Sequence, residues 1–137
     1  MAISGIGENM EDRYLFKAKH FKEWHIGNIV KEPDGLYIRD IKGNAMSYID
    51  NESTICQCTG LKDKNGKLIW ENDIVRDEHG NFYKAFWQNK YYQFSWICVK
   101  SDIFLIDTKW DLWSIKSFEI EVIGNIFDNP ELLESEG

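Results

Sequence analysis

A chain of 137 residues, 43% hydrophobic and 28% charged, fits a single globular domain with a core of its own. Its formal charge of −7 leaves no basic stripe for binding phosphate, which disfavours direct nucleic-acid binding. No apolar stretch approaches the roughly 20 residues that span a bilayer as a helix.

Residues 1–10 lack a basic region followed by an apolar run, so no export signal is read and the expected location is the cytoplasm. Six Trp, six Tyr and eight Phe favour strands, because aromatic side chains suit a pleated, half-buried surface. Three cysteines, an odd number, argue against a disulfide framework. Cys56 and Cys58 would share one face of a strand, a poor geometry for a bridge. With Cys98, His20, His25 and His79 scattered, no metal-ligand spacing emerges, and no metal or cofactor is expected. Charge is uneven along the chain. Residues 1–40 hold six Lys and Arg against seven acids, and residues 41–100 hold eight against seven. Residues 101–137 hold two against nine, an acidic stretch that suits a solvated rim.

In chain order, residues 1–11 read as a flexible leader and 12–137 as one domain, with looser strands over 12–55 and a core region over 56–137. Leu15 to Phe21 and Trp24 to Val30 form two strand-like runs. Glu32-Pro33-Asp34-Gly35 is a turn, Leu36 to Arg39 a strand, and Lys42-Gly43-Asn44 another turn. Asn65-Gly66 is the pair favoured where a tight turn needs φ > 0 at both central residues, and Leu61 and Leu68-Ile69-Trp70 flank it. Glu71-Asn72-Asp73 breaks the chain before Ile74-Val75-Arg76, and Asp77 to Asn81 turns again. Phe82 to Val99 reads as the best strand pair. Tyr83, Ala85 and Trp87 share one face of its first strand, and Tyr92, Phe94, Trp96 and Cys98 one face of its second. Ile103 to Ile106 is a continuous apolar run. Trp110 and Trp113 are three apart, which one helical turn would place on one side. Phe118, Ile120 and Val122 alternate with Glu119 and Glu121, as in a half-buried strand with an acidic outer face. Asn129-Pro130-Glu131 predicts a capped short helix or turn.

Two long motifs carry a resemblance. Thr59-Gly60-Leu61-Lys62-Asp63-Lys64-Asn65-Gly66-Lys67 is followed by Ile69-Trp70-Glu71-Asn72-Asp73-Ile74-Val75, and the end runs Val122-Ile123-Gly124-Asn125-Ile126-Phe127-Asp128-Asn129-Pro130-Glu131-Leu132-Leu133-Glu134. With looser elements at Phe16-Lys17-Ala18-Lys19 and Glu23-Trp24-His25-Ile26-Gly27, the chain resembles the YopX family over roughly residues 14–135. These are bacteriophage and prophage proteins with no assigned molecular role. The departures are Asn72 and Ala18, where the family has Gly, and Cys58, where it more often has an aromatic residue. Asn tolerates the left-handed region, so the turn at Asn72 is expected to survive. The resemblance implies an all-β fold of short antiparallel strands, possibly in a small barrel, often assembled as a homo-oligomer, with no established catalytic residue.

Among candidate chemical groups, Asp63 and Asp73 could be paired carboxylates for acid–base work, or could accept hydrogen bonds within their turns; the second reading is favoured. His20 and His25, five apart, would lie on opposite faces of one strand. A His–Cys pair would need Cys56, Cys58 or Cys98 beside one of them. No Gly cluster has phosphate-loop spacing. The aromatic residues Trp87, Tyr91, Tyr92, Trp96, Trp110 and Trp113 are a candidate interface; core packing is the favoured reading of the aromatic stretch, a protein interface the second, and stacking on unpaired bases the remotest. The expected function is non-catalytic: self-association, or binding of a host or phage protein. One alternative is an acidic DNA mimic using Glu119, Glu121, Asp128, Glu131, Glu134 and Glu136. A hydrolase with an unrecognised site is the other.

Overall fold

The computed structural model describes residues 10–43 and 45–134, and consists mainly of antiparallel strands with short 3-10 turns. Contacts divide the chain into two units, Met1–Cys58 and Thr59–Gly137, each built on its own hydrophobic cluster.

The first unit runs from a 3-10 turn, Met10–Tyr14, through β1 (Phe16–His20), β2 (Glu23–Glu32), β3 (Gly35–Asp40) and β4 (Met46–Tyr48) to the start of β5 (Cys56–Lys62). The strands lie in the order β4-β3-β2-β1-β5, all antiparallel. Residues 1–9 of the expected leader, and Asn44 of the expected turn, lie outside the described residues. Pro33 and Asp34 connect β2 to β3, which pair Glu32 with Gly35, as the turn signal predicted. Between β1 and β2 the chain reverses over two residues, Phe21 and Lys22, with Phe21 at φ +57. Such a turn usually takes glycine at its first central position. Here the Asp50 carboxylate accepts the Phe21 N–H at 3.1 Å from both oxygens, and this charge-assisted contact holds the turn. Ala18, Ile38 and Ile49 form the interior, with Ile29, Leu36 and Ile55 packed against them.

This hairpin overturns one expectation. His20 and His25 do not lie on one strand. They sit across the turn, on β1 and β2, and the register Ala18↔His25 and His20↔Glu23 makes them diagonal neighbours on the same face. Their ring centroids are 6.0 Å apart.

The second unit takes the rest of β5 and adds β6 (Leu68–Trp70), β7 (Asp73–Arg76), β8 (Phe82–Gln88), β9 (Gln93–Lys100), β10 (Lys109–Asp111) and β11 (Glu121–Asn125). Five of them form a sheet in the order β10-β9-β8-β7-β11. The β5–β6 turn has positive φ at Gly66 (+80) but not at Asn65, so it is a wider turn than the two-residue form the dipeptide suggested. Asp63 determines this. Its Oδ1 accepts the N–H groups of Asn65 and Lys67, both at 2.9 Å, and its Oδ2 accepts that of Val122 at 2.9 Å. Asn72 sits at φ +71, the left-handed conformation expected of it. The core cluster is Ile69, Val75, Tyr83, Ala85, Trp96 and Ile120, with Leu61, Trp110, Leu112, Ile115 and Val122 against it.

The expected barrel is not formed; the sheets are open. β10 and β11 are end strands of the five-stranded sheet, and β4 is an end strand in the first unit. β4 and β10 are only three residues long, and such short edges cannot supply the tilted, staggered pairing that closure requires. Two further expectations give way near the C-terminus. Residues 117–119 form a 3-10 turn and β11 begins only at Glu121, so Phe118 does not alternate inward with Ile120. Asn129 does not cap the 3-10 turn Pro130–Leu133 with its side chain. Its Oδ1 instead accepts the Asn125 N–H at 3.2 Å, and a Cβ at Gly124 would collide with the Asn129 amide, which explains glycine there.

Candidate interaction surface

The six aromatic residues singled out in the sequence have separate fates. Trp96 is fully buried and is withdrawn as an interface residue: it lies at the centre of the second unit's core, and its indole Nε1–H donates to the Leu112 carbonyl at 3.1 Å. A buried indole needs such an acceptor. Trp110 is half-buried and meets Tyr83 edge-on at 5.4 Å and Phe104 at 5.0 Å. The other four are exposed. Trp87, Tyr91 and Tyr92 gather at the β8–β9 end, where Trp87 meets Phe94 edge-on at 5.1 Å. Tyr92 occupies a left-handed conformation, φ +52, which costs a non-glycine residue about 1–2 kcal/mol.

Trp113 is the most informative of the four. Trp110 belongs to β10, paired opposite Trp96, whereas Trp113 belongs to the 3-10 turn Leu112–Ser114 that follows. The change from strand to turn breaks the helical relation expected between them, so Trp110 turns inward and Trp113 is 81% exposed. Beside it runs a groove of about 350 Å³ lined by Leu61, Leu112, Trp113, Ile115, Lys116, Ser117 and Phe118. Leu61, Leu112 and Ile115 are also packed against the core, so the groove is bounded on that side by residues already held in place. Phe118 is 66% exposed. Covering one such side chain fully is worth roughly 1.5–3 kcal/mol. The sequence reading missed Phe118, because its apolar spacing with Ile120 imitates a strand. It also missed that Ile103, Leu105 and Ile106 are exposed in the β9–β10 connection, where the Ser101 hydroxyl accepts the N–H groups of Ile103 and Phe104. The Asp102 and Asp107 charges bracketing that short run were the available signal for a loop.

The candidate acids are engaged in local structure. Asp63 is 4% exposed and holds three backbone N–H groups; Asp73 accepts the Trp70 N–H at 2.8 Å, closing the turn into β7. A third carboxylate, which the sequence reading left as a turn residue, has more partners. Asp77 Oδ1 accepts the N–H groups of His79 and Asn81, and Oδ2 accepts the Asn81 amide and the Tyr83 hydroxyl, at 2.8–2.9 Å. Burial pushes this carboxyl up, but the hydrogen bonds from Asn81, Tyr83 and His79 outweigh it and leave the group below its ordinary value. The Tyr83 hydroxyl is raised, by burial and then by its bond to Asp77. Asp77, His79 and Tyr83 line a cleft of about 260 Å³ together with Lys116 and Glu119.

Among the acids considered for DNA mimicry, Glu121 forms an ion pair with Arg76 at 2.7 Å and accepts from Asn65, and the hydrogen bond from Arg76 lowers its carboxyl. Asp128 accepts from the Asn125 amide. Glu136 lies outside the described residues. All three cysteines are buried, and burial raises the Cys98 thiol, the opposite of what an activated nucleophile needs. Among the described residues no group of three or more His, Cys, Asp or Glu could hold a metal ion, and no helix is long and apolar enough to cross a membrane.

No curated protein matches the chain significantly. A family model described as YopX protein matches residues 20–134, which take in the Asp63 turn, the Asn72 turn and β11 with its Asn129 contact. The chain therefore belongs to the YopX family.

Proposed function

We propose that this YopX family member is an accessory protein of a bacteriophage or prophage, that it works in the bacterial cytoplasm, and that it acts without catalysis by associating with another copy of itself. The observation that supports this reading is the pairing of exposed Trp113 and Phe118 with an apolar groove on the same unit. Each chain thus offers both projecting rings and a recess to receive them, which is what a two-fold, self-complementary contact requires. Aromatic side chains seated in pockets are the usual anchors of such contacts. Binding of a host or phage protein through the same groove is the second reading, and the additional exposed residues Ile103, Leu105 and Ile106 favour keeping it.

The test is the molar mass of the chain by size exclusion with light scattering across a micromolar concentration series. A mass at least twice that of the 16.2 kDa chain is expected. A monomer throughout would overturn self-association, and the groove would then be tested against proteins captured from prophage-induced cells.

A further inference from the structure

We infer that His20 and His25 form a binding site for a divalent transition-metal ion on the first unit. The β1–β2 register brings the two imidazoles to the same face with centroids 6.0 Å apart and planes inclined at 68°. The His20 ring is also oriented through Nδ1. His20 Nδ1 lies 2.8 Å from the Tyr48 carbonyl oxygen, an acceptor only, so this nitrogen carries the proton and Nε2 keeps its lone pair. His25 Nδ1 faces the Asp40 carboxylate at 3.9 Å.

A metal-bound histidine characteristically gives its second N–H to a backbone carbonyl or a carboxylate, which sets the tautomer and makes the ligating nitrogen more basic. The His20 ring has such an acceptor in the Tyr48 carbonyl, while the Asp40 carboxylate stands beside His25 Nδ1 at 3.9 Å, beyond hydrogen-bond reach but placed to favour a cation. The second, independent sign is His25 Nε2, a buried polar atom with no hydrogen-bond partner. Leaving such a nitrogen unsatisfied is unfavourable, and coordination would remove that cost. The supports are anchored as well. β3 carries Asp40 and pairs with β2 from Gly27↔Asp40 onward, and Asp50 fixes the Phe21-Lys22 turn between the two histidines. With two protein nitrogens and no third ligand among the described residues, water fills the remaining positions, and imidazole donors suit Zn²⁺, Ni²⁺ and Cu²⁺.

The site is tested by titrating the full-length chain with zinc chloride and nickel chloride by calorimetry, alongside imidazole NMR resonances. One ion per chain is expected, with the resonances of His20 and His25 moving and that of His79 unmoved. His20→Ala, at a half-exposed position, is expected to weaken binding roughly 10-fold or more, and Asp40→Asn to weaken it by a smaller factor through the loss of a nearby negative charge. Protons compete for the same lone pairs, so affinity falls as the medium is acidified. Circular dichroism confirms that each variant folds, and the unaltered chain's NMR titration reads the site without any substitution. Absence of saturable binding overturns the proposal. So does binding that His20→Ala leaves unchanged, which would place the ion on the buried thiols or elsewhere.

Discussion

The first unit fills its interior with Ala18, Ile38 and Ile49, whereas the second gathers Trp96, Tyr83, Ile69 and Ile120 around one point. Among the described residues no Phe, Tyr or Trp of the first unit is fully buried: Tyr14, Phe21 and Tyr48 are exposed, and Phe16, Trp24 and Tyr37 are half-buried. In the second, rings do both jobs, with Trp96 inside and Trp113, Phe118 and Tyr92 outside. Aromatic content alone therefore does not measure a core. Trp96 sits mid-strand in β9, while Trp113, Phe118 and Tyr92 sit in turns; a strand position is not enough by itself, since Trp87 in β8 and Tyr48 at the end of the edge strand β4 are exposed.

The sharpest way to break that comparison is to empty each core in turn. Trp96→Ala is expected to cost about 3–5 kcal/mol and Ile38→Ala about 2–4 kcal/mol, read from urea unfolding with hydrogen exchange assigning the loss to each unit. A loss below about 1 kcal/mol for Trp96→Ala would mean that the second unit is not organised around this ring. Asp63→Ala should follow at about 3 kcal/mol, because it orphans the N–H groups of Asn65, Lys67 and Val122 together. Asp77→Asn is expected to cost about 2 kcal/mol near neutral pH by weakening charge-assisted bonds. Its sign with pH follows from the lowered carboxyl. The folded chain binds the proton less readily than the unfolded one, so the carboxylate's contribution is full above the unfolded value of about 3.9. It is lost as pH falls through the lower folded value. The gap between parent and Asp77→Asn in thermal melts should therefore narrow below about pH 4, and a gap that widened there would contradict the hydrogen-bond account. Gly66→Ala is the mildest of these changes. Nothing lies within 4 Å of the added Cβ, so only its φ of +80 resists, at about 1 kcal/mol in chemical denaturation.

Much of the strand pattern was legible because its punctuation was local. Pro33-Asp34, Gly66 and Asn72 mark chain reversals through their own φ preferences, and Asp63 was readable as a turn acceptor from its place before Asn65-Gly66. What the sequence did not disclose depends on partners far along the chain. Nothing in Phe21-Lys22 advertises a two-residue turn; Asp50 holds it, and without that contact His20 and His25 read as opposite rather than adjacent. Phe118 looked like a strand residue because two-residue spacing of apolar side chains cannot tell a strand from a 3-10 turn that happens to precede a buried Ile120. The barrel failed for a similar reason: its closure depends on edge length, which alternation does not encode. For the candidate surface, the tryptophans were visible as a set, but sorting Trp110 from Trp113 required knowing where β10 stops.

Whether the exposed rings Trp113 and Phe118 form the contact surface is decided most directly by one comparison. Sedimentation equilibrium of the parent chain and of the double variant Trp113→Ser with Phe118→Ser should give an oligomer for the first and a monomer for the second. Unfolding free energies measured where both are monomeric should differ by no more than about 1 kcal/mol for the pair of surface changes. An unchanged oligomer in the folded double variant would contradict the assignment of this groove as the site of association.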